Sequence, residues 1–186
     1  MTWRSPVLRN VHRLLLWTGL VLLAYAGGAA VYANAYQRYQ SREFEQGVSA
    51  GLQTTADLHE GDLVAKLEVP RIGLSVMVLQ GMQESTLAVG AGHVPGTPLP
   101  GLGGNVVIAA HRDTFFRKLK DIAPGDDIRI SVRARTYEYT VLSTEILDPA
   151  ETWVMTSRAS EELTLITCYP FYFVGGAPKR FIVHAR

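Results

Sequence analysis

Three residues carry reactive groups in places where a rigid element ends. His111 closes the apolar run Asn105-Val106-Val107-Ile108-Ala109-Ala110, Cys168 closes Leu163-Thr164-Leu165-Ile166-Thr167, and Arg180 opens Arg180-Phe181-Ile182-Val183-His184. β-Branched and apolar runs of this length suit pleated, buried strands, and the ends of strands hold side chains over a fixed backbone. A thiol beside an imidazole suits nucleophilic attack on a carbonyl, with the imidazole as proton donor and acceptor. A guanidinium adds a fixed cation with several donors for a substrate carbonyl or an oxyanion. The chain has one cysteine, so no disulfide forms within it, and composition alone leaves that thiol either inert and buried or reactive and used.

The elements that would position these groups follow from the pattern of the chain. Leu63–Val69 and Leu74–Leu79 read as strands joined by the turn Pro70-Arg71-Ile72-Gly73. Gln83–Val89 suits a short helix, and a Gly/Pro-rich loop from Gly90 to Gly104 contains His93. Asp127–Arg133 and Tyr137–Leu147 alternate with period two and suggest a hairpin around Ala134–Thr136. A polar stretch with helical character, Ala150–Ser160, precedes the strand that ends at Cys168, and Pro170, lacking an N–H, should stop pairing near Tyr169. Asp113 or Thr114 suits the cap of a short helix running to Lys120. About seven short strands without helix alternation indicate an all-β sandwich or barrel.

Residues 1–13 form a basic segment carrying Arg4, Arg9 and Arg13; their charge of +3 leaves −2 on the rest of a chain whose net charge is +1. No basic stripe marks a nucleic-acid partner. No charge occurs from Leu14 to Gln37, and Leu14–Ala33 is mostly apolar, long enough to span a bilayer, so residues 14–35 read as a signal anchor. The flanking arginines put the N-terminus in the cytoplasm and the remainder on the extracytoplasmic side of the plasma (inner) membrane. Ala33-Asn34-Ala35 leaves open a cleaved leader. Residues 36–61 read as a juxtamembrane linker and 62–186 as the domain that carries the three candidate groups.

Thr164-Leu165-Ile166-Thr167-Cys168 resembles the Thr-Leu-x-Thr-Cys signature of the sortases, membrane-anchored cysteine transpeptidases. Ala110-His111-Arg112-Asp113 and Lys179-Arg180-Phe181-Ile182-Val183 match the same family in the same order, over the domain from about Asp62 to Arg186. His111-Arg112-Asp113-Thr114-Phe115-Phe116 and Cys168-Tyr169-Pro170-Phe171-Tyr172 look most like the class D group. The resemblance implies an eight-stranded β-barrel in which Cys168, His111 and Arg180 are catalytic. Its expected partners are surface proteins with a C-terminal sorting signal of the Leu-Pro-x-Thr-Gly kind and an amine acceptor that resolves a thioacyl enzyme. Hydrolysis of that intermediate and a non-catalytic, membrane-tethered binding role are the competing functions.

His93, Thr167 and Tyr169 are the candidate substrate-binding residues, each with a plainer reading beside it. His93 lines the groove or makes a structural hydrogen bond, Thr167 donates to the oxyanion or pairs in its strand, and Tyr169 walls the groove with Phe171, Tyr172 and Phe173 or packs there. His12 and His59 are expected in solvent and His184 in a structural role. No cofactor and no metal are expected: His93, His111 and His184 lack a paired short-spacing zinc motif, and Glu145 and Asp148 suit solvated carboxylates better than a calcium site. The tripeptide His111-Arg112-Asp113 also occurs in kinases, but no glycine-rich phosphate loop accompanies it.

Overall fold

The uncharged run beginning at Leu14 becomes, in the computed structural model of the chain, part of one helix, α1 (Pro6–Glu45). The structure describes residues 6–45, 58–132, 135–156, 160–172 and 175–186. Within α1, Leu8–Arg42 is long and apolar enough to cross a membrane, and its leucines and valines are exposed. The helix runs on past Tyr36, so the start of the expected linker is helical; the part of that linker at 46–57 lies outside the described residues.

Eight strands follow: β1 (Leu63–Val69), β2 (Leu74–Gln80), β3 (Ala91–His93), β4 (Asn105–Ala109), β5 (Asp127–Val132), β6 (Arg135–Leu147), β7 (Glu162–Tyr169) and β8 (Lys179–Ala185). They close into a barrel in the order β1-β2-β3-β4-β7-β8-β6-β5. Closure gives every one of these strands a neighbour on both sides, which lowers the aggregation risk that an open sheet carries. The pairs β2–β3 and β4–β7 are parallel and the rest antiparallel. A parallel pair needs a crossover. For β2–β3 the crossover contains the short helix α2 (Glu84–Leu87); for β4–β7 it contains the whole β5–β6 hairpin.

Alternation along the strands separates a core from an outer face. Val106, Ile108, Leu163, Leu165, Val183 and Ala185 belong to the barrel interior, joined by Leu67, Ile128, Ile130 and others. Phe116 and Leu119, in the connection after β4, are fully buried and pack on the same core. Removing a side chain of this size from water contributes about 1.5–3 kcal/mol. The β1–β2 turn is a single 3₁₀ turn, Pro70–Ile72, ended by Gly73 at φ 61°, a left-handed backbone that glycine adopts without steric cost. Arg71 on that turn forks onto the buried Asp126 carboxylate, and this guanidinium holds Asp126 below the usual carboxylate range.

Several local expectations change. His93 is not in a loop: Gly92 and His93 pair with Ala109 and Ile108, making β3 the strand absent from the seven read in sequence. The helix expected from Asp113 is a 3₁₀ segment at Arg117–Asp121 with Phe116 at its N-cap position and no side-chain cap. Of the Ala150–Ser160 stretch, Thr152–Met155 is 3₁₀ and residues 157–159 lie outside the described set. Val132 pairs with Arg135 at the β5–β6 hairpin, whose expected turn includes the undescribed residues 133 and 134. Pairing in β7 ends at Tyr169, where the following Tyr169–Pro170 peptide is cis.

Candidate active site

Strands β4, β7 and β8 are neighbours in the barrel, and register decides which of their side chains meet. Between β4 and β7, Val107 pairs with Thr164 and Ala109 with Ile166. The ladder persists one step past β4: the Ala110 N–H donates to the Ile166 carbonyl at 3.2 Å. Carried one residue further, the same register sets His111 beside Cys168. On the other side of β7, Cys168 pairs directly with Arg180 of β8. The three residues therefore stand in a row across adjacent strands.

They also share a face. In β4, β7 and β8 the residues Val106, Ile108, Ala110, Leu163, Leu165, Val183 and Ala185 turn into the core, so the alternate positions face out. Those alternate positions include His111, Cys168 and Arg180. Both His111 and Cys168 are partly exposed, so the face is open to solvent at this row.

Thr167 secures the junction from beneath. Its side chain is 2 % exposed, and its hydroxyl donates to the Ala110 carbonyl at 2.7 Å. This bond ties the residue before the cysteine to the residue before the histidine. The hydroxyl is thus directed into the barrel wall and away from the face that Cys168 occupies.

Arg180 directs Nη1 to the carbonyls of Lys179, at 3.0 Å, and Ala177, at 3.3 Å. Arg112, nearly buried, donates from Nη2 to the Gly175 carbonyl at 2.9 Å and so ties the histidine-bearing segment to the β7–β8 connection. A second tie joins the same two segments, Lys120 Nζ donating to the Tyr172 hydroxyl at 2.8 Å. Tyr169 joins an aromatic cluster: its ring meets Phe171 edge-on at 6.0 Å and stacks on Phe181 at 6.4 Å. Tyr172 is largely exposed, and Phe173 lies outside the described residues.

His93 is placed differently. It is fully buried, with Nδ1 2.8 Å from Gln80 Oε1 and Nε2 3.0 Å from the Pro98 carbonyl and 3.1 Å from the Thr97 hydroxyl. Burial pushes its pKa below the ordinary histidine value, opposed by the backbone acceptor at Pro98. These contacts make it a brace between β3 and the loop that follows, and its ring does not reach the outer face. His184 is on the outer face of β8, stacked on Trp153 with ring centres 6.3 Å apart.

Two features escaped the sequence reading. Glu84 of α2 brings Oε1 to 3.6 Å from His111 Nε2, a close approach longer than a hydrogen bond. Asn105 pins the β6–β7 connection onto the outer face, donating to the Val154 carbonyl at 2.8 Å and accepting from the Thr164 hydroxyl at 2.9 Å. The signal for Asn105 was an amide at the head of a strand otherwise apolar on both faces. Glu84 gave none, because its neighbour in space is 27 residues away in sequence. Among the described residues, no cluster of three or more His, Cys, Asp or Glu has the arrangement to hold a metal.

The sortase-domain family model matches residues 67–186, well over half of the chain. The chain belongs to the sortase family. Among curated relatives, Sortase D of Bacillus subtilis (strain 168) is 28% identical over 187 aligned positions, covering 92% of this sortase and 94% of its relative. Sortase A of Bacillus anthracis is 27% identical, covering 69% and 61% of the two chains. Among solved structures, a Sortase D5 transpeptidase of Clostridium perfringens superposes with a TM-score of 0.68 at 23% identity, over 82% of this chain and 96% of that one. Sortase A of Corynebacterium diphtheriae gives 0.63 at 31% identity, over 68% and 61%. The barrel of this sortase is thus the family's fold, and the family is one of cysteine transpeptidases.

Proposed function

We propose that the chain cleaves a Leu-Pro-x-Thr-Gly-like sorting signal after Thr through a thioacyl enzyme at Cys168 and transfers the acyl group to an amine. The observation that supports this reading is the register of β4–β7–β8, which pairs Cys168 with Arg180 and runs from Ala109–Ile166 toward His111. The Cys168 thiolate adds to the carbonyl carbon after Thr, and the carbonyl oxygen takes up the negative charge. Arg180 offers it a charged donor; a guanidinium has five N–H groups, so its backbone bonds do not exhaust it. Collapse of the adduct breaks the C–N bond as His111, protonated, gives its proton to the departing amine. The incoming amine then attacks the thioester, its proton passes to His111, and the thiolate is released with a new amide bond.

The basic segment at 1–13 supports a cytoplasmic N-terminus, with α1 crossing the membrane and the domain from 62 onward on the extracytoplasmic side. Substrates would then be surface proteins ending in a sorting signal. The test uses the full chain in detergent with a Leu-Pro-x-Thr-Gly peptide, with and without an added amine such as triglycine. Mass spectrometry should find an amine adduct, and Cys168→Ala should lower its rate by about 10⁴-fold or more. Cleavage indifferent to the amine would replace transfer by hydrolysis. Absence of any thioacyl enzyme would end both readings in favour of a tethered binding module.

A further inference from the structure

Gln37 lies one turn beyond the apolar run that ends at Ala33, and its side-chain amide is engaged by the barrel. The Met77 N–H donates to Gln37 Oε1 at 2.8 Å, and Gln37 Nε2 donates to the Val89 carbonyl. Both partners are backbone groups that the sheet itself leaves over. Strand β3 begins only at Ala91, opposite Val78, so β2 has no strand on that edge at Met77 and the amide stands in for one.

On the membrane side of this contact a cleft separates helix from barrel, with Ala29, Tyr32 and Tyr36 on one wall and Leu79, Ser85 and Ala88 on the other. The helix residues all precede Gln37, and Leu79 lies beyond Met77 in β2. Strand β2 therefore descends toward the membrane as α1 ascends from it. At 1.5 Å per residue, Gln37 is about 6 Å above Ala33 and Ala29 about 6 Å below it. A headgroup layer is about 5–7 Å thick, so the cleft straddles it, with Tyr32 and Tyr36 at the depth where aromatic residues collect. The barrel residues at this end suit headgroups: Gln83, Glu84 and Ser85 are exposed and polar, with Met82 exposed beside them.

We infer that α1 is a clamp as well as a tether, holding the barrel through Gln37 so that the α2 end of β2 sits in the lipid headgroups and the Leu74 end points away. One consequence rests on the transpeptidase reading: Glu84 of α2 lies against His111, so the row of three is one short helix from the bilayer, where a substrate held by its own apolar span would present its signal.

The seating is tested without turnover, in the full chain carrying Cys168→Ala and reconstituted in phosphatidylcholine nanodiscs containing a nitroxide-headgroup lipid. A fluorophore is attached at Met82→Cys or, for comparison, at Ser75→Cys, an exposed position at the opposite end of β2. Quenching several-fold stronger at Met82 than at Ser75 is expected, and Gln37→Ala should bring the two together. A label at Ser85→Cys reports the same end as Met82 should that label disturb the fold. Equal quenching at the two ends with Gln37 intact overturns the seating, and a difference that survives Gln37→Ala overturns the clamp. Since no reaction is measured, either failure leaves the transpeptidase reading to its own test.

Discussion

Thr167 ties together the backbone beneath two of the three proposed catalytic groups. Its bond to the Ala110 carbonyl is buried and joins the backbone under the thiol to the backbone under the imidazole. Thr167→Val keeps the shape but leaves a buried carbonyl without that donor, an imbalance that costs about 1–3 kcal/mol. The variant should unfold at lower urea concentration and acylate more slowly in single turnover, and Thr167→Ser should restore much of both. Acylation at the parental rate in the valine variant would reduce Thr167 to a purely structural residue. Arg180 belongs to the same scale with the opposite signature. Its proposed part is played in the transition state, so Arg180→Gln should lower kcat by about 10²-fold or more, as loss of an oxyanion donor does, with the melting temperature little changed.

At the scale of elements, the β6–β7 connection folds over the outer face of the sheet that carries the row of three. Asn105 holds it there by bridging the Val154 carbonyl and the Thr164 hydroxyl, all within buried surroundings. Asn105→Ala should cost about 1–3 kcal/mol in a denaturant titration, since two buried polar groups lose a partner together. If the proposed peptide lies along that outer face, the variant should raise KM for the sorting-signal peptide more than it lowers kcat. Steady-state kinetics on a graded peptide series separates the two. Strands such as Leu74–Gln80 and Asn105–Ala109 were legible because their residues are β-branched, apolar and bounded by turn formers. Strand β3 was not: three residues, one of them glycine, carry no periodicity, and what makes Ala91–His93 a strand is the pairing supplied by β2 and β4. The row of three was legible in part. Sequence set each residue at a strand end, but only the parallel β4–β7 register, closed across the intervening hairpin, sets two of those ends side by side.

For the whole molecule, the informative residue is His93, which the sequence left between groove and scaffold. Its ring lies wholly inside, bridging Gln80 on β2 to Thr97 and Pro98 in the loop after β3, and burial holds its pKa below the ordinary value. That shift fixes a sign. In the unfolded chain the imidazole takes up a proton as pH falls through about 6.5. The folded protein resists doing so until its lower pKa is reached, so between those two values the unfolded state binds more protons and stability rises with pH. His93 therefore contributes stability that is fully present above about pH 6.5 and is lost as pH falls toward its folded pKa. Urea midpoints measured from pH 7.5 down to 5 should fall. In His93→Gln, which keeps a polar side chain but cannot titrate, the midpoint is expected to be lower at pH 7.5 and to vary less with pH across the same interval. An unchanged slope would assign the pH dependence to other groups and leave His93 a brace without a protonation role.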